Sequence, residues 1–127
     1  MTVTYDTGAL VAGERNDRRM WALHAELLNR DIAPSVPVPV LAQAWRGGPR
    51  QASLVRMLRQ CIVEEMTEDR AKSIGALAGE SATSDVVDVA VVESARRRSD
   101  SVIVTSDPDD LGGIAAAVGF AVHLEVV

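Results

Sequence analysis

The motif Thr-Ser-Asp-x-x-Asp occurs twice in this chain, as Thr83-Ser84-Asp85-Val86-Val87-Asp88 and as Thr105-Ser106-Asp107-Pro108-Asp109-Asp110. Each copy stands where a helix is expected to begin, and residues three apart on a helix share a face. Each copy therefore turns two carboxylates the same way. Another carboxylate, Asp6, ends the first short apolar segment. Anions a few Å apart repel by roughly 1 to 4 kcal/mol per pair at effective dielectrics of about 80 to 20. Aspartates that converge in spite of this make a cation site, because an ion removes the repulsion. Oxygen donors with no neighbouring His or Cys suit Mg²⁺ or Mn²⁺ rather than Zn²⁺. Each aspartate also has a plainer role. Asp6, Asp85 and Asp107 are of the type favoured as helix N-caps. Asp88 is less easily dismissed, since it lies among valines on a helix that should be buried, and a carboxylate there needs a partner. Asp110 shares a face with Asp107, whereas Asp109 should point to solvent. Thr105 and Ser106 add hydroxyls able to orient a carboxylate or a water.

The elements that must position these groups follow from apolar spacing. Thr2 to Tyr5 reads as a short buried strand with Asp6 at its carboxyl end. Thr7 to Ala12 starts a helix, whose first turns Gly13 is expected to close. Arg18 to Asn29 carries Met20, Trp21, Leu23, Leu27 and Leu28 at helical spacing. Ile32 to Val36 is a second strand. Pro37 and Pro39 restrict the chain ahead of a helix from about Val40 to Arg46. Gly47-Gly48 should stop that helix as a glycine C-cap. A helix over Arg50 to Arg59 turns Leu54, Val55 and Leu58 inward. Cys61 to Val63 is a β run, and a helix follows from Thr67 to about Ala78. Asp85 to Arg98 has the strongest helical pattern, with Val87, Ala90, Val91, Ser94 and Ala95 on the packing side. Ser101 to Thr105 is a buried strand, Pro108 opens a short helix behind Asp107, and Phe120 to Glu125 is the last strand. Strands alternating with helices predict an α/β fold, a central parallel sheet flanked by helices on both faces. In such sheets functional groups collect beyond the carboxyl ends of the strands. Asp6 and Asp107 both occupy that position.

Composition narrows the chemistry further. The length suits one domain over residues 1–127. No apolar run approaches the roughly 18 residues of a membrane helix, and no basic-then-apolar leader opens the chain. The expected compartment is the cytoplasm. A lone Cys61 excludes an intrachain disulfide and a multi-cysteine zinc site. Aromatics at 3% argue against nucleic-acid binding through an aromatic stacking platform. The net charge of −5 hides an asymmetry: Glu14 to Arg59 holds 8 Arg against 4 acids, whereas Gln60 to Val127 holds 5 basic residues against 13 acids. Arg15, Arg18, Arg19, Arg46 and Arg50 are therefore candidates for a rim that holds phosphates beside the acid pocket. Their plainer roles are solvation and pairing with Glu14 or Asp17. Arg96-Arg97-Arg98 lies at a helix C-terminus, where cations favour the dipole. His24 is expected at the surface or an interface, and His123 in a structural role. Neither has a spacing relation to the acids, so histidine-based hydrolysis is not expected. No Walker-type glycine loop and no nucleophile elbow is present.

The order Tyr5-Asp6-Thr7-Gly8-Ala9-Leu10, then Asp88-Val89-Ala90-Val91-Val92, then Val104-Thr105-Ser106-Asp107 resembles a PIN domain of the VapC toxin ribonuclease type. The resemblance spans essentially the whole chain. It implies a PIN-like parallel sheet and an acid site for Mg²⁺ or Mn²⁺. Asp6, Asp88 and Asp107 would be the metal ligands, with Asp85 and Asp110 completing the site. It further implies an RNA substrate, a VapB-type antitoxin partner and a homodimer. One position departs from the pattern. Where the family usually has a Glu, within Leu41-Ala42-Gln43-Ala44-Trp45, this chain has Gln43, which offers a carbonyl oxygen but no charge.

The chemistry expected is hydrolysis of RNA by a metal-activated water, leaving 5′-phosphate and 3′-hydroxyl ends. The alternative is a catalytically weakened domain, with Gln43 in the slot of an acid, that binds RNA or a protein partner without cutting. A phosphorelay receiver would need a late, paired lysine, and the only lysine, Lys72, is in the wrong region.

Overall fold

Apolar runs too short for anything but strands punctuate the chain, and they assemble into one sheet. The computed structural model describes residues 2–127. Its strands are β1 (Val3–Tyr5), β2 (Ser35–Pro37), β3 (Ile62–Glu64), β4 (Val102–Thr105) and β5 (His123–Val126). The helices are α1 (Thr7–Glu14), α2 (Arg18–Asn29), α3 (Val38–Ala44), α4 (Ala52–Leu58), α5 (Glu68–Ser81), α6 (Val86–Arg97) and α7 (Pro108–Ala117). A 3₁₀ turn at Pro49–Gln51 leads into α4. The sheet has the order β3-β2-β1-β4-β5, and every pairing is parallel.

That order decides where the helices go. Parallel crossovers are right-handed almost without exception. The chain moves outward from β1 to β2 to β3, then returns to β4 on the other side of β1. The connections carrying α1 to α4 therefore cover one face, and those carrying α5 to α7 cover the other. The packing agrees for most helices: α1 lies against α2 and α4, and α6 against α5 and α7, while the short α3 touches both α1 and α6. The α/β architecture with both faces covered is the one expected from the sequence. Between β1 and β4 the chain leaves in opposite directions, which opens a crevice at their carboxyl ends.

Helix α6 crosses the middle of the sheet, against β1, β2 and β4. Its expected packing stripe understates it. Val89, Ala90, Val91, Val92, Glu93, Ser94 and Ala95 are all buried, as in a helix enclosed on every side. Glu93 tolerates this because Arg70 of α5 meets it with Nε at 3.2 Å and Nη2 at 2.8 Å from Oε2. The same guanidinium donates to Glu64 at 2.8 Å and to the Ser94 hydroxyl at 2.7 Å. Arg98, expected only to favour a helix dipole, also bonds Glu64, along with the Thr4 hydroxyl and Asp100. Its Nε and Asp100 Oδ1 are buried without partners, a cost that the other bonds of the network offset.

Several local expectations give way to tertiary packing. Gly13 does not close α1 but lies inside it, buried, where a Cβ would come within 2.6 Å of Met57 Sδ on α4. The third helix ends at Ala44, with Trp45 extended, so Gly47-Gly48 shape the following loop instead of capping. His24 is not a surface residue: it is 1% exposed and contacts the Tyr5 hydroxyl through Nδ1 at 2.9 Å. Its Nε2 lies 3.0 Å from Gln60 Oε1, so that nitrogen carries the hydrogen and Nδ1 accepts from tyrosine. Burial lowers the His24 pKa, with the Gln60 bond acting in the opposite sense. His123 stands on an exposed edge strand, paired with Glu125 at 3.0 Å. Among the described residues no helix is long and apolar enough to cross a membrane.

Replacing Arg70 by Ala leaves the buried Glu93 carboxylate only the half-exposed Arg97, 3.3 Å away. Urea unfolding of Arg70→Ala is expected to show a loss of about 3 kcal/mol, the lower end of the cost of breaking a buried pair from one side.

Candidate functional site

The crevice at the β1/β4 switch point is an open cleft of about 570 Å³. Asp6, Asp85, Asp88, Asp107 and Asp110 all line it, together with Gln43 and Arg15. Asp6 follows β1, Asp107 follows β4, and Asp85 and Asp88 arrive on the first turn of α6. Every aspartate singled out as a site residue is thus on one surface. Asp109 is exposed and lines only the neighbouring hollow that shares Asp85, Asp88 and Asp110.

Each position has a local cause. Asp6 is the N-cap of α1 and is nearly buried. Its Oδ1 accepts from the Thr7 N–H at 2.7 Å and its Oδ2 from the Thr105 hydroxyl at 2.8 Å, which sets the carboxylate plane. Thr105 therefore does orient a carboxylate, across from β4 to β1. Asp85 caps α6, taking the Asp88 N–H at 3.1 Å. Asp107 holds the N-cap position of α7, but its side chain makes no capping bond. Its own N–H donates to Thr105 Oγ1 at 2.9 Å, so the carboxylate is left available to the cleft. At Asp6 and Asp85 capping and a place on the cleft, alternatives in the sequence, coincide. Three helix N-termini meet at one cleft, and their partial positive charge favours the carboxylates.

Gly8 makes the meeting possible. A Cβ on Gly8 would lie 2.1 Å from Ser106 Oγ and 2.6 Å from Ser106 N. Only glycine lets the first turn of α1 touch the loop that bears Asp107. The glycine after Asp6 and Thr7 was visible in the sequence, but its neighbour, a hundred residues away in the chain, was not. Gln43, from α3, reaches the mouth of the cleft, where its Oε1 accepts from the Thr7 hydroxyl at 2.5 Å.

The electrostatics record the crowding. The Asp88 carboxyl is pushed up to about 7, first by burial and then by Asp85, Asp6 and Asp110. Asp6 is raised by burial and by Asp107 and Asp85, against the lowering effect of its bonds from Thr105 and Thr7. The exposed Asp110 is raised by proton sharing and repulsion with Asp107. A divalent cation would lower all of these together. The donor set of hard oxygens fits Mg²⁺ or Mn²⁺. Among the described residues, no three His, Cys, Asp or Glu side chains are drawn tightly enough to form a ready ligand set. Unscreened carboxylates keep apart or share a proton, so the backbone brings them to the cleft without closing them into a cage.

The arginines separate. Arg15 lines the cleft. Arg19 pairs with Glu125 at 3.4 Å, Arg18 is exposed on α2, and Arg46 and Arg50 lie on the loop after α3, none of them lining it. Glu14, a possible pairing partner for them, bonds Gln51 at 2.6 Å instead. Gln51 was missed from the sequence, where nothing marks it.

No protein-family profile matches the sequence, and no curated protein does either. Among solved structures the chain is similar to one in VapBC2 from Rickettsia felis bound to a DNA fragment from their promoter. The TM-score is 0.72 at 14% identity, covering 98% of both chains. The likeness runs over the whole fold and agrees with the PIN-like α/β architecture; at this identity it speaks for fold alone.

An unfolded carboxyl loses its proton near pH 4, whereas folded Asp88 keeps it to about 7. Folding takes up a proton between those values, so the stability contributed by neutral Asp88 is full at acid pH and lost as pH rises through about 7. His24 acts oppositely: its lowered pKa means that stability falls as pH drops below its ordinary value. The difference between wild type and Asp88→Asn isolates the first effect. In chelator the variant's advantage in melting temperature should grow from pH 5 to pH 8, reaching about 2–5 °C because solvent screens a half-exposed group. A rise in melting temperature on adding Mg²⁺ is expected in the wild type and should vanish in the variant.

Proposed function

We propose that this chain is a PIN-type, Mg²⁺- or Mn²⁺-dependent endoribonuclease that hydrolyses RNA phosphodiester bonds. The observation that carries the reading is the gathering of Asp6, Asp85, Asp88, Asp107 and Asp110 on one cleft from separate parts of the chain. The pKa of Asp88, raised first by burial and then by the neighbouring Asp85, Asp6 and Asp110, points the same way. The shared fold with a chain of a VapBC2 complex supports the same reading.

Asp6, Asp88 and Asp107 are the residues that would hold the ion, with Asp85 and Asp110 completing the anionic ring. When bound, such an ion lowers the pKa of a coordinated water and offsets charge on the phosphate oxygens. The chain does the rest. Thr105 and the Thr7 N–H fix the direction of Asp6. Asp88 must release its proton to take part, which couples its use to the arrival of a cation. Arg15 sets a positive charge on the cleft wall for a phosphate of the strand. The products expected are 5′-phosphate and 3′-hydroxyl ends. A VapB-type antitoxin is the protein partner, supported by the neighbour's being a VapBC2 complex, and a homodimer follows from the PIN resemblance.

A second reading rests on Gln43. Its carbonyl oxygen accepts from the Thr7 hydroxyl, and it brings no charge to the cleft. With one anion fewer than the family pattern, the domain would bind RNA or its partner without turnover. A pool of single-stranded RNA separates the two. Cleavage with Mg²⁺ or Mn²⁺ that disappears in EDTA and drops about 100-fold or more in Asp6→Asn supports the nuclease. Cleavage that survives both controls marks a contaminant. An inert wild type that Gln43→Glu switches on favours the second reading.

A further inference from the structure

Gln51 is 4% exposed and uses both ends of its amide. Its Oε1 accepts from the N–H groups of Arg46 and Gly47, each at 2.9 Å. Its Nε2 donates to Glu14 Oε1 at 2.6 Å and to the Ala44 carbonyl at 2.9 Å. All four bonding positions of a buried amide are thereby filled. The segment so held is the loop that leaves α3. Gly47 and Gly48 have φ of 79° and 91°, which other residues adopt only with strain. A Cβ at Gly48 would meet open space. Glycine is needed there for the backbone path itself, and one side chain pins that path. Nearby, the Ser53 hydroxyl donates to Asn16 Oδ1 at 2.8 Å, tying α4 to the corner between α1 and α2.

The loop presents Arg46 and Arg50, both exposed. Among the described residues neither forms an ion pair with a carboxylate, and nor does Arg15. Arg46 Nη1 bonds the Trp45 carbonyl at 2.7 Å. The anchors place the loop relative to the cleft. Gln43, three residues before Arg46, lines the cleft, and Glu14, which Gln51 grips, precedes the cleft-lining Arg15. The loop therefore continues the wall that α1 and α3 build.

We infer that Gln51 is a positioning residue that holds Arg46 and Arg50 alongside Arg15 as a basic strip, on which phosphates of single-stranded RNA lie as the strand enters the acid cleft. The inference rests on the nuclease reading for its substrate class. A loop fixed in advance spares the strand the cost of ordering it, and guanidiniums without a carboxylate partner keep donors for phosphate, Arg46 having engaged only Nη1 with a backbone carbonyl.

The test uses a fluorescent oligouridylate. Its Kd is measured in chelator over a range of salt, and KM and kcat with Mg²⁺ on the same RNA. Arg46→Gln and Arg50→Gln should each raise Kd several-fold and flatten the salt dependence by about one phosphate contact. Gln51→Ala leaves both arginines in the chain, yet should raise Kd and KM by about three- to tenfold with kcat within about twofold. Arg46→Gln should cost less in the Gln51→Ala background than alone, as for coupled residues. Gln51→Glu sets a second carboxylate against Glu14 and should weaken binding, and adding Glu14→Gln should restore it.

Gln51 variants that only lower the melting temperature, with Kd and KM unchanged well below it, overturn the inference. If Gln51→Ala does not fold, unchanged Kd in the exposed Arg46→Gln and Arg50→Gln variants overturns it equally. A wild type that cleaves RNA while all these variants keep its KM refutes the strip and leaves the nuclease. Binding that follows the expected pattern without any cleavage sustains the strip and refutes the nuclease.

Discussion

Negative charge held together against its own repulsion is the constraint on which this structure depends. Asp6, Asp85, Asp88, Asp107 and Asp110 share one cleft, and a fold without reason to gather them would let them separate into solvent. Several features lower the penalty without removing it. The cleft lies at the switch point of a parallel sheet, where the N-termini of α1, α6 and α7 converge and their dipoles favour anions. Asp6 is further stabilised by a hydroxyl and a backbone N–H. What remains appears in the carboxyls of Asp88 and Asp110, both raised above the usual carboxylate range.

Holding the acids in place requires a frame that does not yield. Helix α6 supplies much of it, because one end carries Asp85 and Asp88 and the other is locked into the interior. The lock is ionic as well as apolar: Glu93 on α6, Arg70 on α5 and Glu64 on β3 meet where little water reaches. A buried network of this kind adds little net stability over an apolar core. It does fix α6 in one register, since a slip would leave charges without partners. On the opposite face, the absence of a side chain at Gly8 and Gly13 lets α1 close on the Ser106 loop and on Met57. Small errors at either glycine would widen the distance between Asp6 and Asp107.

The cleft is not uniformly acidic. Arg15 stands on its wall, and Gln43 replaces one expected anion with an amide already engaged by Thr7. One basic residue of the arginine-rich first half of the chain, Arg15, is thus set beside acids of the second half. The net charge of −5 conceals this division. An anionic polymer approaching such a surface is repelled by the acids until a cation screens them, and is attracted by the arginines throughout. On the proposed function, metal and nucleic acid would in that sense be linked ligands of one surface.

The aspartates were legible in the sequence because their signal is local. Spacing of three residues at a helix start, an acid after an apolar strand and a valine-rich context around Asp88 can all be read within one turn of chain. The strand and helix alternation was legible for the same reason, since apolar periodicity reports burial face by face. What only tertiary structure decided depends on neighbours far apart in sequence. His24 lies in the core because Tyr5 and Gln60 receive its two nitrogens. Arg70 is buried because Glu93 and Glu64 meet it, and Gln51 matters because Glu14 and a glycine loop converge on it. Capping and metal-site roles competed as long as each aspartate was considered on its own helix. Once three helix starts share a crevice the two roles no longer exclude each other: Asp6 and Asp85 cap their helices and still line the cleft, and Asp107 lines it without a capping bond.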